Sequence, residues 1–326
     1  MEFILCDIEK MEVKKIPEEV SIDFDIGGEN DVQIVCDQGL LSMGMWIICP
    51  GTEYAALIEE AEQNTNSKTE TWMGNGLRKF LQEFIIEPPA GQDYRKVSGD
   101  AHTIMRQVLN GAFGNLFYIP EEPSGITLNE YKFDRYTDAL AGFEKMLKTK
   151  KARINLEVKQ GEANEPFSVI LSATPIQNLA SEIEYSQDSK INITIKEYKR
   201  GINHLICLGK GELKDRQVLH LYVQFDGSIS TNGKHYIGLE ERTAIYDNSS
   251  AEDLGELKEG GIERLKELMD YRKMSMTVQD VDLQIGDIIA GRNYETGLYL
   301  QKPVVQKIVK VESGEITVEY KVEGEE

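Results

Sequence analysis

The sequence predicts a mainly β protein with α+β inserts, and three observations carry that expectation. The runs Ile202 to Leu208 and Gln217 to Val223 flank a glycine-punctuated polar turn, Gly209 to Arg216. That is the pattern of an antiparallel hairpin with one buried face. A second β-rich block, Asp280 to Tyr320, closes the chain. Helical periodicity is confined to two stretches, within 91–172 and within 240–273. The hairpin and the closing block are expected to fold together as one barrel or sandwich, with the second helical stretch inserted between them. The order β block, α+β block, β block suggests two similar barrels flanking an insert.

Taken in order, residues 1–90 read as short strands. Phe3, Leu5, Val20, Ile22, Phe24, Ile26, Val32, Ile34 and Val35 fall in apolar runs, several of them alternating, and Met45 to Pro50 is strongly apolar. Tyr54 to Thr65 fits a strand or a short helix, and Glu62 to Thr71 reads as a hairpin tip or exposed loop. Gly74-Asn75-Gly76 reads as a turn, Leu77 to Phe84 as a short helix or strand, and Pro88-Pro89 with Gly91 as a stop. Asp100 is a good N-cap. Behind it Ala101, Ile104, Met105, Val108, Leu109, Ala112 and Phe113 follow helical spacing, with Gly114 as the stop. A second helix is expected from Thr137, with Leu140, Phe143 and Leu147 on one face and Lys148, Lys150 and Lys151 near its C-terminal end. Ile154, Leu156 and Val158 then pair with Phe167 to Leu171 across a turn at Gly161 to Glu165. Asp226-Gly227 and Asn232-Gly233 are tight-turn signals. In 240–273, Leu254, Leu257, Ile262, Leu265, Leu268 and Met269 form a partial helical stripe. Gly260-Gly261 interrupts it, which leaves room for two short helices.

The chain has 326 residues, enough for two to four domains. It carries 36 basic and 56 acidic side chains, a formal charge of −20. Such a surface disfavours nucleic acid and anionic lipid, whose binding normally uses Lys and Arg to displace counterions. The charge serves solubility, or it lines a path that DNA slides past without sticking. The four cysteines, Cys6, Cys36, Cys49 and Cys207, have no metal-ligand spacing and sit in apolar runs, as buried free thiols do. The start MEFILCDIEK lacks the basic region and apolar length of a secretory signal. No apolar segment approaches the roughly 18 residues of a membrane span. Folding in a cytoplasm is the expectation, with no membrane anchor.

Reactive constellations are hard to find. Gly209-Lys210 fails as a phosphate loop: His204 stands where the first glycine belongs, and Gly211 follows the lysine. His204 and His220 face each other across the hairpin in this reading, but two histidines without clustered acids or thiols make a weak metal case. Cys207 has no histidine base placed beside it. The acid pairs Glu18-Glu19, Glu59-Glu60, Glu121-Glu122 and Glu240-Glu241 are expected in so acidic a chain and read as solvated faces. Trp46 and Trp72 lie in apolar runs and read as core, although exposed they would stack a sugar. No catalytic, cofactor-binding or metal residue is assigned, and no enzyme activity is expected. The charged loop Lys210 to Arg216 reads as a solvated hairpin tip or as a contact loop between neighbouring subunits.

Three sets of residues together have a family likeness. They are PGTEY with TWMGNGLRKFLQEFIIEPPAG and VSGDA; KRGINHLICLGKGELKDRQVLHLY; and DLQIGDIIAGRNYETG with KIVKVESGEITVEYKVEG. They resemble, in this order and over nearly the whole chain, the tail-hub proteins of siphophages and related prophages. Those are similar in turn to the baseplate hub of contractile-tailed phages. The resemblance implies two tube-type β-barrel domains, 1–92 and 173–239 with 274–326. It places a small α+β domain at 93–172 between them and a helical insertion at 240–273 in the second barrel. It implies a homotrimer whose ring continues the tail tube and anchors the tip. Its partners would be distal tail and tail-tube proteins, the tape measure and spike or fibre proteins, with DNA passing through the lumen unbound. The location would be the virion, after assembly in a bacterial host cytoplasm. Longer relatives carry a C-terminal peptidase or lysin module; the sequence ends at Glu326 directly after its last expected strand, so cell-wall cleavage is not expected of it. The rival readings are a tail-associated cell-wall hydrolase and a receptor- or carbohydrate-binding tail protein.

Overall fold

A computed structural model of the chain describes residues 2–7, 12–64, 66–161, 167–179, 184–185, 191–197, 201–224, 227–249, 251, 253–269, 272–278, 282–292 and 299–322. The fold is mainly β with α+β character. The chain divides into two compact units: Met1–Ile193 with Ser275–Val322, and Thr194–Met274 with Glu323–Glu326.

The first unit opens with β1 (Ile4–Asp7), β2 (Glu12–Lys15), β3 (Ser21–Ile26), β4 (Asp31–Asp37), β5 (Trp46–Ile48), β6 (Ala55–Glu62) and β7 (Thr69–Gly76). Alternation decides the faces of β3 and β4. Ile22, Phe24, Ile26, Val32, Ile34 and Cys36 are buried, while Asp23, Asp25, Asp31 and Gln33 look the other way. Tyr54 to Thr65, open between two readings in the sequence, contains the strand β6. The expected turn at Gly74-Asn75-Gly76 is instead the end of β7. A Cβ on Gly74 would lie 2.2 Å from the Leu57 carbonyl oxygen, so glycine here permits close approach of β6 rather than chain reversal. Next comes α1 (Leu77–Glu83), which buries Leu77, Arg78 and Leu81.

The middle segment holds β8 (Ile85–Ile86), β9 (Lys96–Asp100), α2 (Ala101–Leu109), β10 (Phe117–Tyr118), β11 (Thr127–Lys132), β12 (Thr137–Asp138), α3 (Ala139–Lys148), β13 (Ala152–Gln160) and β14 (Phe167–Pro175). Asp100 caps α2 by accepting the His102 N–H at 3.0 Å, and it also accepts the N–H groups of Ser124 and Gly125. One carboxylate thus starts the helix and pins a loop. The helix stops at Leu109, sooner than the Gly114 stop expected. Asn110 takes a left-handed conformation, φ 44°, and its N–H returns to the Arg106 carbonyl. Asp138 caps α3, whose Phe143, Met146 and Leu147 are fully buried. β13 and β14 pair antiparallel with Leu156 opposite Leu171 and Val158 opposite Val169, as the alternation predicts. Beyond Gly161, the expected turn to Glu165 lies outside the described residues, as does Asp226.

The chain leaves this unit through β15 (Glu184–Tyr185) and β16 (Ile191–Glu197). The second unit contains β17 (His204–Leu208), β18 (Val218–Val223), β19 (Ile229–Ser230), β20 (Thr243–Asp247) and α4 (Leu254–Leu268). β17 and β18 form the expected antiparallel hairpin, with Leu205 opposite Leu221. They lie in a four-stranded sheet of order β19-β18-β17-β20, where β20 runs parallel to β17. Leu205, Cys207, Leu221 and Val223 turn to one face and pack with Leu257 and Leu265 of α4. Two corrections follow. Thr243–Asp247, inside the expected helical insertion, is a strand. And α4 runs unbroken through Gly260-Gly261, where an interruption was expected. A Cβ on Gly261 would lie 2.5 Å from Cys207 Sγ, so this glycine seats the helix on the sheet.

The chain returns through β21 (Arg272–Val278), β22 (Ile288–Arg292), β23 (Tyr299–Glu312) and β24 (Glu315–Val322). Among the described residues the hairpin and this closing block share no sheet. β23 pairs instead with β3, Val309 opposite Phe24 and Val311 opposite Ile22. The two ends of the chain thereby join in a 13-stranded sheet whose main path is β16-β21-β24-β23-β3-β4-β7-β6-β5-β1-β2. The described pairings do not close this sheet into a barrel. Alternating apolar residues announce a strand but not its partner, and here the partner lies almost 300 positions away in sequence.

Candidate functional site

The long sheet of the first unit presents one face to solvent across six adjacent strands. Register places Thr317, Lys310, Asp23, Gln33, Met73 and Glu60 side by side on β24, β23, β3, β4, β7 and β6. The next row holds Glu319, Ile308 and Asp25. Asp31 and Asp37 on β4 and Glu62 on β6 share the same face by period two. Acidic side chains therefore dominate it, and Lys310, 3.6 Å from Asp23, is a weak partly exposed counter-charge. The crowding has an electrostatic signature. Partial burial first, then the carboxylates of Asp25 and Glu29, push Asp31 above the usual carboxylate range.

Beneath that face lies a buried ionic junction. Glu53, in the loop before β6, accepts from Arg78 Nε and Nη2 of α1 at 3.1 and 3.0 Å. Lys307 of β23 approaches the other Glu53 oxygen at 3.5 Å, donates to Gln284 at 3.3 Å, and sits 5.1 Å from the Tyr54 ring centre. All three charged side chains are buried. Burial alone would raise Glu53, but Arg78 and then Lys307 outweigh it and hold its carboxyl below the usual range. Arg153 of β13 makes a second buried pair with Asp287, Nε to Oδ1 at 2.8 Å. The Asp287 carboxylate also accepts the N–H groups of Gln177 and Gln284. These junctions tie the N-terminal strands, the α+β segment and the closing strands together. No local pattern in the sequence marks them, because each partner is a single charge among 92. A space of about 10 Å³ beside Glu53, Asn30 and Arg78 has room for one water, not for a substrate.

The residues weighed for chemistry take structural positions. His204 Nε2 lies 2.8 Å from His220 Nδ1, and His204 Nδ1 lies 2.8 Å from Glu241, so the expected meeting of the two histidines occurs. Glu241 is shared with Lys234 at 2.6 Å, and hydrogen bonds from Lys234 first and His204 second hold its carboxyl low. Among the described residues no group of three or more His, Cys, Asp or Glu side chains is placed to hold a metal. His102 is buried, with Nδ1 2.8 Å from the Glu122 carbonyl and Nε2 accepting the Ala173 N–H, which fixes its proton on Nδ1. All four cysteines are free and buried, and burial pushes the thiols of Cys6, Cys36 and Cys207 up to about 11. They are poor nucleophiles as a result. Trp46 stacks on Phe80 and meets Phe167 edge-on, and Trp72 is buried. Gly209-Lys210 is a turn closed by Gly209 N–H to the Gln217 carbonyl. The acid pairs lie at the surface, with Glu241 half-buried. No helix among the described residues is long and apolar enough to cross a membrane.

No family model matches the sequence, and no curated protein matches it either. Solved structures do match in fold. Prophage tail protein gp18 from Listeria monocytogenes EGD-e aligns over 100% of this chain and 96% of its own, at 12% identity and a TM-score of 0.50. A tail protein from Neisseria meningitidis MC58 aligns over 99% and 96%, at 11% identity and a TM-score of 0.54. The 43 kDa tail protein of prophage MuSo2 from Shewanella oneidensis aligns over 99% and 98%, at 10% identity and a TM-score of 0.55. The chain has the fold of these phage-tail proteins from end to end.

Proposed function

We propose that this chain is a non-enzymatic structural subunit of a phage tail or a related device, a tail hub at the baseplate or tail tip. The observation that carries the reading is the fold likeness to three tail proteins over essentially the full length of every chain. The acidic face of the long sheet supports it, because a wall without clustered Lys and Arg offers passing DNA no phosphate contacts. In this reading three copies form a ring that continues the tail tube, each contributing two tube-type, barrel-like modules. β1 to β7 belong to the first module, 1–92. The closing strands β21 to β24 belong to the second, and residues 93–172 are the α+β insert. The hairpin β17–β18 is counted with the 240–273 insertion rather than with the second module, since its sheet partners are β19 and β20. The sheet's acidic face lines the lumen, tail-tube, tape-measure and spike or fibre proteins bind above and below, and the assembly resides in the virion. Light scattering on the purified chain, alone and with co-expressed tail proteins, tests the ring. Three chain masses and an annulus in electron micrographs are expected. A monomer under all those conditions overturns it.

A further inference from the structure

The sheet of the second unit ends on β20, and no described strand pairs with its outer edge. The N–H of His204 bonds to the Arg242 carbonyl at 3.0 Å, and the N–H of Asn248 bonds to the Leu208 carbonyl at 2.8 Å. Between these ends the parallel register sets His204 beside Thr243, Ile206 beside Ile245 and Leu208 beside Asp247. In a parallel ladder alternate residues of a strand turn both N–H and C=O toward the neighbour. Ala244 and Tyr246 therefore face β17. Thr243, Ile245 and Asp247 direct their main-chain groups off the sheet, and among the described residues no main-chain hydrogen bond meets them there.

Two other edges are blunted in familiar ways. β2, at the end of the long sheet, has Glu12, Lys14 and Lys15 among its four residues, with ion pairs from Lys14 to Glu12 and Lys15 to Glu2. β19 is only two residues long. β20 has five residues, and its single charge, Asp247 at the end, is taken by Arg216. Its central Ile245 is 68% exposed on the face opposite α4, where Val218 is also exposed. The surroundings are close to neutral, since residues 194–274 carry 13 basic and 14 acidic side chains.

We propose that β20 is a strand-addition site that takes an extended segment of a partner protein, apolar opposite Ile245 and without net negative charge. The outward N–H and C=O groups specify an extended main chain. Ile245, exposed at the centre of β20 between Thr243 and Asp247, specifies an apolar side chain opposite it, and Ile206 behind it on β17 continues that apolar ground. The strongly acidic remainder of the chain disfavours an acidic segment. The site stands whether or not the chain forms a tail ring, because nothing in it depends on the ring.

The test uses the full-length chain and the blocked peptide acetyl-KVTVTVK-amide, with a proline-interrupted version of the same peptide as control. Saturating peptide should slow amide exchange at Thr243, Ile245 and Asp247 about tenfold or more and leave Ala244 and Tyr246, already bonded to β17, nearly unchanged. Ile245→Pro deletes an outward N–H without touching the inward bonds, so it should weaken peptide binding about tenfold while the protein stays folded. Ile245→Lys, which blunts the edge by charge, serves as the second variant if the proline disturbs the sheet. Equal binding by both variants, or unchanged exchange at millimolar peptide, overturns the proposal. So does cross-linking that pairs β20 with β20 of a second copy in place of the peptide.

Discussion

The two units treat charge in opposite ways. Residues 194–274 carry 13 basic and 14 acidic side chains, whereas the rest of the chain carries 23 and 42. The first unit places its acids on an exposed sheet face and seals the cations Arg78, Arg153 and Lys307 into buried pairs. The second unit shows no such burial of Lys or Arg among the described residues, and it exposes Leu213, Val218, Ile237, Leu239, Ile245 and Leu254, as many large apolar side chains as the much longer first unit exposes with Val13, Met43, Ile85, Tyr94, Tyr118 and Tyr136. Leu213 is also held at φ +50°, in a left-handed turn at the hairpin tip, with 93% of its surface open. One body uses buried charge to hold itself together and carries a strongly acidic surface; the other sets a denser array of apolar side chains in near-neutral surroundings.

The comparison breaks most readily at Glu53. Arg78→Leu leaves that carboxylate buried beside a single, more distant ammonium, and should cost about 3–5 kcal/mol in denaturant unfolding. A loss below about 1 kcal/mol would mean that the junction is wet and that the first unit is not charge-locked. The same site sets a pH dependence. Glu53 titrates lower when folded than when unfolded, so its contribution is present above the unfolded carboxylate range, near 4.3, and is lost as pH falls through the folded value. Unfolding followed from pH 7 to pH 3 should show that decline, and Glu53→Gln should flatten it.

The matching point in the second unit is a packing contact without charge. Gly261→Ala brings a methyl within 2.5 Å of Cys207 Sγ and 2.9 Å of Leu221 Cδ1. Overpacking of this kind costs about 1–3 kcal/mol, less up to about 1 kcal/mol that alanine returns to a helix. Cys207→Ala should recover most of the loss, as a double-mutant cycle on the hairpin–helix contact would record. Failure of the rescue would place the strain at the other contact of the new methyl, Leu221 Cδ1 at 2.9 Å.

Two glycine sites show where sequence reading stops. Elements with a one-dimensional signature were legible: the alternation of β3 and β4, the Asp100 cap of α2, the α3 stripe, the β13–β14 pair, the β17–β18 hairpin and the meeting of His204 with His220. Gly74 and Gly260-Gly261 were misread as turn and interruption, because a glycine that admits a neighbouring strand or thiol looks the same in sequence as one that turns the chain. The partner of β23 was illegible for a related reason, since any apolar-alternating strand satisfies it until the whole sheet is assembled. The ionic junctions left no trace at all: Glu53, Arg78 and Lys307 are joined only by the fold. The acidic face was legible as net charge but not as a face, which required the register of six strands.

The smallest expected effect sharpens that last point. Asp31 titrates higher when folded than when unfolded, because burial and the Asp25 and Glu29 carboxylates penalise its charged form. Its favourable contribution is therefore full below the unfolded carboxylate range and is lost as pH rises through the folded value. Asp31→Asn removes a charge that the neutral-pH fold tolerates at a cost, so it should raise stability slightly at pH 7 and leave it unchanged near pH 3. Added salt should shrink the gain, because screening already relieves repulsion between exposed carboxylates about a Debye length apart, near 10 Å at 0.1 M. The corresponding exchange in the near-neutral unit, Asp215→Asn in the hairpin turn, should show no comparable gain. If both substitutions behave alike, the contrast is one of composition only, and the sheet face is not a concentrated field.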